Sequence, residues 1–254
     1  MVKRINRFLD SCVLKAHNIY FLKKKIHPYF LFVDIAGFCA VLFLAYYSFR
    51  FDSLDFFKMF FVVSVIYYSY QPFLIFKRQF LKIDSRTFIL DLTLFIIPTY
   101  FLLLSILKVN MIAALDLLGF ELPLIICIGR VGCFLGGCCH GIPTQVGVFY
   151  PKELLIKIET HRRYSPSDKA TERVLPLQLI ESGFCLILFL FLNYYHNLLS
   201  ARIFLVFLLS YCFFRMVSDF FKQHIATKRF SKFTTTQIVS AILFAISTFI
   251  LIKY

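Results

Sequence analysis

Residues 111–144 read MIAALDLLGFELPLIICIGRVGCFLGGCCHGIPT, and the stretch changes character midway. Met111 to Ile128 is apolar apart from Asp116 and Glu121, and such a run matches the roughly 20 residues a helix needs to cross hydrocarbon. Gly129 to Thr144 is different: five of the chain's nine glycines fall there, with Arg130, Cys133, Cys138, Cys139 and His140. Glycine lets backbones approach closely and lets the chain leave helical geometry. Irregular backbone at membrane depth persists only where it is buried or lines a cavity. An arginine after an apolar run needs an anion or water, and its planar fork suits a phosphate. A helix end with a polar site at the bilayer edge is the reading, against a bland alternative in which Arg130 snorkels to the headgroups.

The rest of the chain agrees. Hydrophobic residues make up 59% of the 254 and charged residues only 17%, against about a quarter charged in a soluble domain. Seven apolar spans are expected, at 29–49, 56–76, 87–107, 111–136, 175–196, 201–221 and 235–252. The fold class is therefore all-α, a polytopic integral membrane protein with about seven transmembrane helices, read as a single transmembrane domain over 1–254. One connection, 137–174, is too charged for hydrocarbon and is expected as an interfacial loop. Leu154, Leu155 and Ile156 suggest a short amphipathic piece in it, and Ser165-Pro166 a turn. The basic N-terminal 27 residues lead into a retained membrane segment, with no small-residue cleavage site after it.

The formal charge is +14. The basic residues cluster between apolar runs instead of forming one face, so anionic headgroups explain them better than nucleic acid does. Counted by loop, they place the N-terminus and the long loop on the cytoplasmic side. Among eight cysteines, Cys12, Cys39, Cys127, Cys185 and Cys212 are scattered and read as small hydrophobes. Cys133, Cys138 and Cys139 cluster beside His140. They have four readings: packed thiols, a disulfide, a zinc set with His140, or a catalytic thiol.

The Gly129–Thr144 segment resembles the prolipoprotein diacylglyceryl transferase family, whose hallmark is Gly-Arg-x-Gly-Asn-Phe-x-x-Gly-Glu closing on a glycine. Gly129, Arg130, Gly132, Phe134, Gly137 and Gly141 match in register, Pro143 and Thr144 continue the match, and Asp116 sits where the family carries an aspartate. Leu175-Pro176-Leu177-Gln178-Leu179-Ile180-Glu181 resembles the family's His-Pro-x-Gln-Leu-Tyr-Glu. Tyr211, Arg215, Asp219 and Lys222 keep the spacing of Tyr-x-x-x-Arg-x-x-x-Glu-x-x-Arg. The resemblance covers roughly 111–225. Cys133 stands at the family's Asn and Cys138 at its acid, and residues 87–107 hold neither His nor Gly where the family has a His-Gly-Gly stretch.

The resemblance implies transfer of diacylglyceryl from phosphatidylglycerol to the lipobox cysteine of a prelipoprotein in the bacterial cytoplasmic (inner) membrane. It also implies that the motif and the long loop face outward, opposite to the charge count, and the resemblance is followed here. The expected partners are the phospholipid, the lipobox peptide and the membrane. No cofactor, metal or nucleic acid is expected. Arg130 and Arg215 are the candidate phosphate holders, with Cys138 as a thiolate beside Arg130 and His140 as base. Asp116, Gly129, Gly132, Cys133, Gly137, Gly141, Gln178, Glu181, Tyr211 and Asp219 are the candidate substrate-binding set. Arg215 and Asp219, at i and i+4, also suit a purely structural bridge. Two other classes compete: a non-catalytic lipid-binding protein on the same fold, and a transporter, which the in-membrane acids favour but the lack of an internal repeat does not.

Overall fold

The computed structural model describes residues 1–16, 20–21, 24–25, 28–50, 55–79, 95–151, 173–199, 202–222, 229–230 and 233–253. Among these residues eight helices of ten residues or more dominate: α1 (Val2–Ala16), α2 (Pro28–Arg50), α3 (Phe56–Gln79), α4 (Ile97–Ile106), α5 (Met111–Leu135), α6 (Leu177–Tyr194), α7 (Ile203–Ser218) and α8 (Thr235–Lys253). Strand among the described residues is confined to short pieces. β1 (Tyr20–Phe21) pairs antiparallel with β2 (Lys24–Lys25), β3 (Pro143–Val148) bridges to Val174, and β4 (Arg229–Phe230) pairs antiparallel with β5 (Phe233–Thr234).

Five helical stretches among the described residues are long and apolar enough to span a bilayer: Pro28–Phe49, Met111–Leu135, Leu177–Tyr194, Ile203–Phe221 and Thr236–Lys253. The chain is an all-α polytopic membrane protein. The second expected span, 56–76, lies within α3, which carries Pro72 inside it. The third is described only from 95 onward and supplies a ten-residue helix there. The amphipathic piece and the turn expected within 152–172 lie outside the described residues. The helix α1 was not anticipated.

Two compact units divide the chain. One comprises Met1–Ala40 with Gly119–Tyr254, the other Val41–Leu118. In the second unit, Asp55 caps α3 by accepting from the Phe57 and Lys58 amides, and Asn110 caps α5 in the same way. Met59, Val62 and Leu104 are buried there, and the Tyr100 hydroxyl donates to the Ala114 carbonyl at 3.1 Å.

The first unit holds the motifs. At Gly119 a Cβ would lie 2.7 Å from the Phe204 backbone nitrogen, so α5 and α7 touch backbone to backbone. At Gly132 a Cβ would lie 2.7 Å from the Phe32 Cβ, which draws α2 against α5. Phe184 and Phe214 stack at 4.3 Å between α6 and α7, and the Ser182 hydroxyl donates to the Cys127 carbonyl between α6 and α5. Large apolar side chains such as Ile187, Phe213 and Phe249 point outward from these helices, as a lipid-facing surface requires.

Candidate functional site

Helix α5 ends where the glycines begin. The Gly137 amide donates to the Phe134 carbonyl and the Cys138 amide to the Cys133 carbonyl, with Gly137 at φ +74°. This pair of bonds is a Schellman cap, which needs a left-handed residue at the position Gly137 fills. Cys139 is also left-handed, at φ +60°, an uncommon conformation for a residue with a side chain. The chain then turns at Gly141. Its amide donates to the Leu175 carbonyl, and a Cβ there would lie 2.8 Å from the Phe221 carbonyl oxygen. Glycine is required at this approach, because the ends of α6 and α7 flank it on both sides.

These turns bring three helices together at one carboxylate. Glu181, on α6, has a side chain only 3% exposed. Arg130 on α5 approaches its Oε1 with Nη2 at 2.9 Å. Arg215 on α7 donates through Nη1 to both carboxylate oxygens, at 3.3 and 3.2 Å. The Tyr211 hydroxyl, one turn earlier on α7, donates to Oε1 at 2.7 Å. Two guanidiniums share one carboxylate, so the group carries a net positive charge in a largely dehydrated place. Buried cations in such surplus recruit anions, since desolvated charge is costly until it is matched.

The other candidates divide. Gln178, one turn before Glu181, donates from Nε2 to the Cys138 carbonyl at 2.6 Å and so ties α6 to the cysteine turn. Cys133 and Cys138 pack together with Tyr29 and Cys139. Gly129 has open space where a Cβ would be, so close packing does not explain it. Asp116 belongs to the other unit, where it is buried. Asp219 is 1% exposed and accepts a hydrogen bond from the Thr234 hydroxyl. The Arg215–Asp219 bridge that the i, i+4 spacing suggested is not formed. Arg215 turns to Glu181 instead, and Asp219 to Thr234.

The three clustered cysteines differ in surroundings. Hydrogen bonds to Cys133 and Cys139, and then burial, push the Cys138 thiol well above its usual range, and its sulfur donates toward the Cys133 carbonyl at 3.7 Å. Cys139 is the thiol pulled down, first by hydrogen bonds from Cys133 and Cys138 and then by the charges of Lys222 and Arg130. Burial holds the His140 imidazole below its ordinary value, which keeps it neutral near pH 7, and its Nδ1 lies 3.2 Å from the Gly141 carbonyl oxygen. All eight cysteines are free thiols, and no group of metal-ligating side chains is arranged around a common point among the described residues.

Sequence reasoning missed the cover over this turn. Helix α1 lies against β3 through Asn6, whose Nδ2 donates to the Gln145 carbonyl and whose Oδ1 accepts from the Gly147 amide, both at 3.0 Å. Asp10 accepts from the Phe149 amide and forms a two-pronged ion pair with Arg173 at 2.7 and 3.0 Å. Leu9, Val13, Phe134, Val148, Tyr150 and Val174 form the small core beneath, and the Tyr150 hydroxyl donates to the Phe134 carbonyl at 2.7 Å. The signal was present in the sequence: Asn6, Leu9, Val13 and Ala16 recur at helical spacing.

Comparison with known proteins is consistent with these features. A family model described as prolipoprotein diacylglyceryl transferase matches residues 92–253. A curated relative, the phosphatidylglycerol–prolipoprotein diacylglyceryl transferase of Clostridium tetani (strain Massachusetts / E88), is 28% identical over 145 residues. The aligned stretch is 56% of this chain, and it spans only about half, 53%, of that relative's length.

Proposed function

Because the chain belongs to the prolipoprotein diacylglyceryl transferase family, we propose that it moves a diacylglyceryl group from phosphatidylglycerol to the lipobox cysteine of a prelipoprotein. What supports this reading most is the Glu181 cluster: two guanidiniums on separate helices, aimed by one buried carboxylate and left with a surplus positive charge.

In the proposed step the peptide's cysteine thiolate attacks the glycerol carbon that carries the phosphate. The carbon–oxygen bond to phosphate breaks, a thioether forms, and glycerol-1-phosphate leaves with the bonding pair. Negative charge grows on the leaving oxygen, and Arg130 and Arg215 meet it with charge-assisted hydrogen bonds. Glu181 and Tyr211 fix the arginine forks before substrate arrives, so little reorganisation is needed at the moment of reaction. His140, held neutral, takes the proton of the attacking thiol, and Cys138 lies in the same turn. Gly137 and Gly141 shape the turn that admits the headgroup, and Gly129 and Gly132 lie on the last turns of α5 that lead into it. Cys133 and Gln178 line it, while Asp219, bonded to Thr234, holds the end of α7. The site works at the outer face of the bacterial cytoplasmic membrane, with 137–174 in the interface.

The test is transfer of labelled diacylglyceryl from phosphatidylglycerol to a lipobox peptide by the purified protein. Arg130→Ala should abolish it, and full activity in that variant removes the reading. Complementation of cells lacking their own transferase gives the same answer in vivo. A second reading, a lipid-binding protein without turnover, draws on Cys133 and Cys138 standing at the family's Asn and acid positions. It predicts phosphatidylglycerol held stoichiometrically and never consumed.

A further inference from the structure

Helix α1 has two faces that the site does not use. Its inner face, Asn6, Leu9, Val13 and Ala16, is buried. Beside that face runs a second apolar stripe of Met1, Ile5 and Phe8, at spacings of four and three residues, and Phe8 is 67% exposed. Lys3, Arg4, Arg7 and Lys15 are exposed around the remaining arc. The helix has a single acidic residue, Asp10, which is engaged with Arg173. The outward surface of α1 therefore carries four positive charges that pair with no acid among the described residues, next to an apolar stripe.

The depth of α1 follows from its packing. Leu9 and Val13 lie in one cluster with Phe134, in the last turn of the membrane-spanning α5. A helix held at the end of a span lies at the hydrocarbon boundary, where apolar side chains reach acyl chains and basic ones reach phosphates. We propose that α1 is an interfacial binding helix for anionic phospholipid, with Met1, Ile5 and Phe8 in the acyl region and Lys3, Arg4, Arg7 and Lys15 gathering anionic headgroups. An anionic bilayer is the occupant that matches both halves of this surface. An acidic protein would match the charges and leave the apolar stripe wet.

The chain contains no tryptophan, so Phe8→Trp creates a sole tryptophan reporter at the stripe, excited at the red edge where tyrosine does not absorb. The full-length variant is reconstituted in bilayers of phosphatidylcholine and phosphatidylglycerol in equal amounts, with brominated chains on one lipid or the other. The expected result is quenching by brominated lipid, poor quenching by aqueous iodide, and about a twofold or larger preference for brominated phosphatidylglycerol. Replacing Lys3, Arg4, Arg7 and Lys15 with serine should bring that preference to parity. Phe191→Trp, on the lipid side of α6, reports correct insertion and should show the same quenching with and without the four serines. If Phe8→Trp fails to fold, Ile5→Trp replaces it. Iodide quenching without lipid quenching overturns the proposal, as an aqueous or protein-facing helix would produce. Equal quenching by the two lipids also overturns it.

Discussion

Replacing Glu181 with glutamine keeps the shape of the hub and removes its only negative charge. In the wild-type protein that carboxylate accepts the Tyr211 hydroxyl at 2.7 Å, meets Arg130 at 2.9 Å and meets Arg215 at 3.2 Å. With Glu181→Gln, two largely buried guanidiniums face each other without a counterion. Removing one partner of a buried ion pair costs about 3–5 kcal/mol. For a chain of this size each kcal/mol moves the melting temperature by about 2–4 °C. The variant in detergent without added phospholipid should therefore melt about 6–20 °C below wild type, followed by circular dichroism. An anion bound at the arginines would refill the missing charge. Phosphatidylglycerol should then raise the melting temperature of Glu181→Gln by more than it raises that of wild type, because ligand stabilisation grows with affinity for the folded state. Phosphatidylcholine, whose headgroup carries no net charge, should not close the gap. An unchanged melting temperature in Glu181→Gln would refute the view that the carboxylate balances the arginines. Equal stabilisation of both proteins by phosphatidylglycerol would refute the view that the surplus charge receives the lipid phosphate.

Three further outcomes follow from the packing. Gly119→Ala places a methyl 2.7 Å from the Phe204 backbone nitrogen; the helices must part, at about 1–3 kcal/mol, read as a lower melting temperature with unchanged helix content. Thr234→Val removes the hydroxyl that accepts the Gln237 amide at 3.2 Å and donates to buried Asp219; about 2–4 kcal/mol is expected from the lost cap and the lost donor together, with faster hydrogen exchange in the first turn of α8. Burial lowers the His140 pKa, so the unfolded chain binds its proton first. Stability is complete above the unfolded value of about 6.5 and falls as pH drops below it, and His140→Gln should lose less stability than wild type between about pH 7 and pH 5.

Some of this could be read from the chain and some could not. The spans were legible because an apolar run of bilayer length needs no tertiary information. Arg130 could be named because an arginine after an apolar run needs an anion or water, and Gln178, Glu181, Tyr211 and Arg215 because their motifs resemble those of the family. Which partner each takes was not legible. Local spacing offered Arg215 to Asp219, yet Arg215 reaches across to Glu181 and Asp219 receives Thr234. Thr234 itself belongs to a signature the sequence does display, Thr234-x-x-Gln237, in which the threonine hydroxyl accepts from the Gln237 amide and Oε1 of Gln237 accepts from the Thr234 amide. Helix α1 escaped notice because its buried face carries Asn6, a polar residue whose two bonds go to backbone 139 and 141 positions away.

The Glu181 hub also bears on how the protein is made. Its charges emerge from the ribosome in the order Arg130, Glu181, Arg215, each on a helix that must leave the translocon for lipid. A lone arginine or acidic residue raises the insertion cost by about 2.5–3.5 kcal/mol at a helix centre and by less toward a helix end, where these three stand. Helix α5 thus gains by waiting beside the channel until α6 brings the carboxylate, and the pair still lacks its second arginine until α7 follows. A nascent chain stopped before α6 should leave α5 close to the translocon, and one extended past α6 should release both helices together. Crosslinking of staged nascent chains to the channel would show that step, and with Glu181→Leu the release of α5 should come late or fail.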